Sequence, residues 1–69
     1  MIILRLIITK HARERMDLYG ITEDQIKLAI KRGAKTKQTD GLLAVYTYLG
    51  VAYKIRKDKY IIKTVVMKD

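Results

Sequence analysis

His11, the single histidine of this chain, stands four residues before Arg15, a separation that would bring an imidazole and a guanidinium side by side on a helix. An imidazole takes or gives a proton near neutral pH, and a guanidinium can hold a phosphate through two hydrogen bonds. Combined, they suit phosphodiester cleavage in RNA, where a 2′-hydroxyl attacks the adjacent phosphorus. That reaction needs a base, an acid and stabilisation of the charged phosphorane. One histidine fills one of the proton-transfer roles, so the other falls to a tyrosine, a lysine or a partner such as the ribosome. The alternative is that His11 packs or hydrogen-bonds at a helix edge and does nothing more.

The pair needs a helix to position it. Thr9 is placed as an N-cap and Gly20 as a C-terminal stop, so the expected helix runs over Lys10–Tyr19. With Ala12 at zero and about 100° per residue, Met16 and Tyr19 fall within about 40° of it and form the buried stripe. His11, Arg15 and Leu18 lie about 60–120° round, on the flank between core and solvent. Glu14 and Asp17 lie on the exposed side and receive no catalytic role.

A second helix is marked by Thr22-Glu23-Asp24-Gln25, which fits a capping box with Gln25 reaching back to Thr22. Ile21 can staple onto Ile26, the acids sit at the positive end of the helix dipole, and Lys31 and Arg32 sit at the negative end. Gly33 closes it. Its buried stripe is Ile26, Ala29 and Ile30, with Leu28 pointing away.

From Ala34 the period changes from 3.6 to 2. The expected strands are Lys35–Thr39, Leu42–Leu49, Val51–Arg56 and Tyr60–Met67, with turns at Asp40-Gly41, Leu49-Gly50 and Lys57-Asp58. An apolar run over Ile2–Ile8 adds a short strand covered on both faces, or an edge strand covered by a partner. Two-residue turns pair Tyr46 with Tyr53, Ala44 with Ile55, Ile55 with Tyr60 and Tyr53 with Ile62. One face then collects Ala44, Tyr46, Tyr48, Val51, Tyr53, Ile55, Tyr60 and Ile62 and seats the helices. The other collects Val45, Thr47, Lys54, Arg56, Ile61, Lys63, Val65 and Met67. The expected fold is α+β, a single domain over residues 1–69 with two helices on one face of a roughly four-stranded antiparallel sheet.

Composition narrows the function. The 69 residues carry a net charge of +8, with a pI near 9.9. Such a surplus favours an anionic partner, RNA or other nucleic acid or an acidic protein. Lys54, Arg56 and Lys63 could track a phosphate backbone on the mixed basic and apolar face. Tyr46, Tyr53 and Tyr60 more naturally fill the core of a chain without Phe or Trp than stack on bases. There is no cysteine, so neither a disulfide nor a thiolate metal site is available, and one histidine excludes the usual zinc sets. No cofactor and no metal are expected. No Gly-rich phosphate loop and no nucleophile–base–acid set is present. The apolar opening is too short to span a bilayer and has no small-residue cleavage site, which points to a cytoplasmic protein with no membrane partner. The absence of Asn, Cys, Pro and Trp beside abundant Lys and Ile is compatible with a thermophilic source.

The segments His11-Ala12-Arg13-Glu14-Arg15-Met16 and Tyr19-Gly20-Ile21-Thr22-Glu23-Asp24-Gln25-Ile26 are similar to those of a small prokaryotic domain of unknown function. That family is marked by an N-terminal His-x-x-x-Arg helix and a Gly-Ile-Thr/Ser-Glu turn, and the resemblance runs from Thr9 to Val66. It looks related to the RelE/ParE and BrnT toxins. The resemblance implies two N-terminal helices against a four-stranded antiparallel sheet. It also implies metal-independent ribonuclease activity, often on ribosome-bound messenger RNA, and control by an acidic antitoxin. His11 and Arg15 fall in the motif positions, and Thr64 falls where related domains often carry a polar site residue. The apolar start of the chain departs from those toxins and suggests an added strand or a homodimer contact.

Overall fold

The computed structural model describes residues 5–67. The chain runs β1 (Arg5–Ile8), α1 (Lys10–Tyr19), α2 (Glu23–Arg32), β2 (Ala34–Gln38), β3 (Gly41–Tyr46), β4 (Leu49–Arg56) and β5 (Lys59–Met67). Both helices begin and end where their punctuation places them. The Thr9 hydroxyl accepts the Ala12 N–H, and Gly20 ends α1 in the left-handed region at φ 69°. Thr22 and Gln25 satisfy each other's backbone N–H groups in a complete capping box.

The strands form one five-stranded sheet in the order β1-β5-β4-β3-β2. The α+β class is as expected, but the sheet is mixed and has five strands, not four antiparallel ones. The added strand is β1, which pairs parallel to β5 with Leu6 opposite Tyr60 and Ile8 opposite Ile62. It is neither covered on both faces nor fully apolar in role. Leu6 and Ile8 pack on the core, while Ile7 is 46% exposed on the far side. The expected residues 2–4 of that strand lie outside the described residues.

Two further differences concern register. The β3–β4 turn is Thr47-Tyr48, not Leu49-Gly50, so Ala44 pairs with Val51 and Leu42 with Tyr53. The turn moves by an even number of residues, so Ala44, Tyr46, Val51 and Tyr53 keep the face expected of them. Tyr48 leaves that face and stands 68% exposed at the turn. The β4–β5 turn is where it was expected, with Ile55 opposite Tyr60 and Tyr53 opposite Ile62. Past that point a β-bulge intervenes, since Ala52 pairs with Thr64 and leaves Lys63 as the extra residue. One extra residue reverses the side-chain alternation beyond it. Val65, expected on the outer face, is therefore turned inward and fully buried, and Met67 follows it to the inner face.

One core results. Ala12, Met16, Ile26, Ala29 and Ile30 from the helices meet Ala44, Val51, Tyr53, Ile62 and Val65 from one face of the sheet. Full burial of an Ile, Met or Val side chain contributes roughly 1.5–3 kcal/mol. Tyr53 is 2% exposed, and its ring centroid lies 5.8 Å from that of Tyr60. The tyrosines of this face replace the absent phenylalanines and tryptophans. Among the described residues, no helix is long and apolar enough to cross a membrane.

Candidate functional site

The polar edge of α1 is fixed by what surrounds it. Ala12 and Met16 anchor the helix in the core, and α1 packs against β5. The Thr9 side chain ties the start of the helix to the Ile62 carbonyl at 2.9 Å, beside the bulge. With the helix so held, His11, Arg15 and Tyr19 follow at successive steps of four residues. Each step rises about 6 Å along the same side of the helix.

His11 is exposed, and among the described residues its side chain makes no hydrogen bond or ion pair. Arg15 is half-buried. Its Nη1 donates to the Tyr19 hydroxyl at 3.3 Å, and its guanidinium carbon lies 5.9 Å from the centre of the Tyr19 ring. The Arg15 Nε is buried and has no hydrogen-bond partner among the described residues. Tyr19 was expected in the buried stripe with Ala12 and Met16, but it is 38% exposed. The stripe narrows at the end of the helix, and Tyr19 turns to the polar edge. Its spacing of four from Arg15 was the available signal for that partnership.

This edge brings an imidazole, a guanidinium and a phenol into one line. The imidazole can exchange a proton with solvent or substrate. The guanidinium is oriented by the phenol, and a partly desolvated guanidinium binds an oxyanion more strongly than a free one. The Tyr19 oxygen accepts from Arg15 and still has its own proton to donate.

Lys54, Arg56 and Lys63 share the sheet face away from the helices, as expected. Two of them are already engaged. Lys54 and Lys63 converge on the Asp40 carboxylate at 3.9 and 3.6 Å, and the Lys63 ammonium also donates to the Asp40 carbonyl. Asp40 sits in the β2–β3 turn, and beyond its turn role it holds both lysines. Arg56 is exposed and forms no ion pair among the described residues. Thr64 lies on this same face at the bulge, opposite Ala52, with its hydroxyl oxygen buried and unpaired among the described residues. The Thr9 hydroxyl also donates to the Lys63 carbonyl at 3.3 Å, but no hydrogen bond or ion pair among the described residues joins this group to His11, Arg15 or Tyr19.

An open pocket of about 100 Å³ lies elsewhere, lined by Gln25, Leu28, Tyr46, Thr47 and Leu49. None of the expected site residues lines it. Among the described residues, no three of His, Cys, Asp and Glu come together as metal ligands.

No curated protein and no solved structure matches this chain at a significant level. One family model does match, over residues 8–66, and it spans both helices, the α1 edge and nearly all of the sheet. The chain belongs to the family described as a domain of unknown function, DUF4258.

Proposed function

We propose that this DUF4258 chain is a toxin-like, metal-independent ribonuclease whose working surface is the outward edge of α1. The observation that carries the reading is the line His11–Arg15–Tyr19, in which an exposed imidazole stands one turn from a guanidinium already held by a phenol. The net charge of +8 and the resemblance to the RelE/ParE and BrnT toxins point the same way.

In this reading Arg15 takes the non-bridging oxygens of a phosphodiester and stabilises the charge that develops on them. His11 removes the proton from the 2′-hydroxyl, whose oxygen forms a new bond to phosphorus. The bond from phosphorus to the 5′-oxygen breaks, and that oxygen takes a proton from a second group. Tyr19 is the group placed to supply it, or the ribosome supplies it when messenger RNA is cut there. The products are a 2′,3′-cyclic phosphate and a 5′-hydroxyl. The setting is the cytoplasm, with control by an acidic antitoxin.

The test is RNA cleavage with and without ribosomes, comparing the unaltered chain with His11→Ala and Arg15→Ala. Loss of cleavage in both variants, with melting temperatures unchanged, is expected. Cleavage indifferent to both substitutions, or none by the unaltered chain, would overturn the reading.

A further inference from the structure

We infer that the sheet face turned away from the helices is a docking surface for an acidic, partly apolar segment of another protein. Every core residue lies between the helices and the inner face, and none of the outward residues belongs to that core. Among the described residues the outward face is therefore an uncovered second surface, and it divides into two halves along the strands. Toward the β3–β4 turn it is apolar. The paired rows place Leu43 beside Ala52 and Val45 beside Gly50 and Val66. Toward the β4–β5 turn it is basic. Arg56 pairs with Lys59, which in turn stands opposite Arg5, and Lys54 and Lys63 lie between the two halves. Ile61 and the exposed Ile7, paired across β1 and β5, carry the apolar surface into the basic half.

The chemistry of this face selects its occupant. Among the described residues, Arg5, Lys54, Arg56, Lys59 and Lys63 face only Asp40 and Asp58, both in turns, so a second copy of the chain would meet like charge. A nucleic acid would find the charge but no stacking platform. Tyr46, Tyr53 and Tyr60 pack on the inner side, Tyr48 is in a turn and Tyr19 is on α1. Nonspecific single-strand binding relies on such aromatic platforms. Aliphatic side chains beside Arg56 and Lys59, which form no ion pair among the described residues, fit a polypeptide with apolar residues at one end and carboxylates at the other. The three ion pairs are already present at this face, through Asp58 on Arg5 and Asp40 on Lys54 and Lys63. They mark where such carboxylates would settle. This surface is separate from the α1 edge and does not depend on the ribonuclease reading.

The test measures binding of a fluorescent peptide of alternating glutamate and leucine to the full chain. A lysine–leucine peptide and a uridine-rich single-stranded RNA serve as comparison probes. The glutamate–leucine peptide is expected to bind in a salt-sensitive way, and Arg56→Glu with Lys59→Glu is expected to weaken it about tenfold. Both residues are exposed, so the fold tolerates the change. Val66→Thr keeps the strand shape but removes apolar surface, and it is expected to weaken binding by a smaller factor. Arg15→Ala is expected to leave it unchanged. Absence of peptide binding would overturn the inference. So would RNA binding that the same substitutions weaken as strongly, or a dimer in sedimentation that dissolves on Val66→Thr.

Discussion

The Thr9 hydroxyl donates to the Ile62 carbonyl at 2.9 Å and accepts the Ala12 N–H at 3.2 Å. One oxygen thus caps α1 and fastens it to β5 across 53 residues of sequence, next to the bulge at Lys63. The helix that carries His11 and Arg15 is aimed by this joint. Thr9→Val preserves the shape but removes both bonds, and it is expected to cost about 1–3 kcal/mol in urea unfolding. Thr9→Ser is expected to retain most of that stability. If the two variants unfold at the same midpoint, the joint is not made by the hydroxyl.

Gly33 and Gly20 differ in what they tolerate. A Cβ on Gly33 would stand 2.5 Å from the Ala29 carbonyl oxygen and 2.7 Å from that of Val45. Both are backbone atoms, so α2 would have to move off β3. Gly33→Ala is expected to destabilise by about 1–3 kcal/mol. A Cβ on Gly20 meets nothing within 4 Å, and the cost of Gly20→Ala is the left-handed backbone alone, about 1–2 kcal/mol. The two are separable by structure as well as energy. Only Gly33→Ala should perturb the amide resonances around Val45.

Lys57 holds φ 57° at the first central position of the β4–β5 turn, a conformation that favours glycine. Its side chain is exposed and makes no ion pair among the described residues. Lys57→Gly relieves the backbone at the expense of a more flexible unfolded chain. The net expectation is a gain of about 0.5–1 kcal/mol, seen as a higher melting temperature. A drop in melting temperature would mean that the lysine stem packs on the sheet.

Burial of Tyr53, with the Tyr60 phenol beside it as a secondary cause, raises its pKa above the ordinary 10.0. The folded chain therefore holds this proton more tightly than the unfolded chain does. The stabilisation is complete below pH about 10 and is lost as pH rises toward the folded pKa. Tyr53→Phe, which has no proton to lose, is expected to move the alkaline unfolding transition upward. An unaltered alkaline midpoint would assign that transition to other groups.

Tyr19 is the residue that the fold adds to the α1 edge. Tyr19→Phe keeps the ring over the Arg15 guanidinium but removes the oxygen that accepts from Nη1. If Tyr19 supplies a proton to the leaving oxygen, cleavage falls by about 10²–10⁴-fold while RNA affinity is little changed. If the phenol only orients Arg15, affinity falls and the rate at saturating RNA holds. Steady-state kinetics on a short RNA separates these outcomes.

Much of this architecture is legible in the residues because its signals are local. Thr9, Thr22, Gln25 and the two glycines cap helices through contacts three or four residues away, and the alternation after Ala34 marks strands within each stretch. The identity of His11 and Arg15 as neighbours needs only the helix pitch. Even the misplaced β3–β4 turn left Ala44, Tyr46, Val51 and Tyr53 on the right face, because an even shift preserves a period of two. Local signals thus suffice for the order of elements, the helix ends and most of the inner face. Tertiary structure alone decided three things: the parallel docking of β1 on β5, the bulge that turns Val65 inward, and the Asp40 carboxylate that occupies Lys54 and Lys63. Each depends on partners more than ten residues apart. Their pairing is set by how the whole apolar surface is buried, and no short window of sequence records that balance.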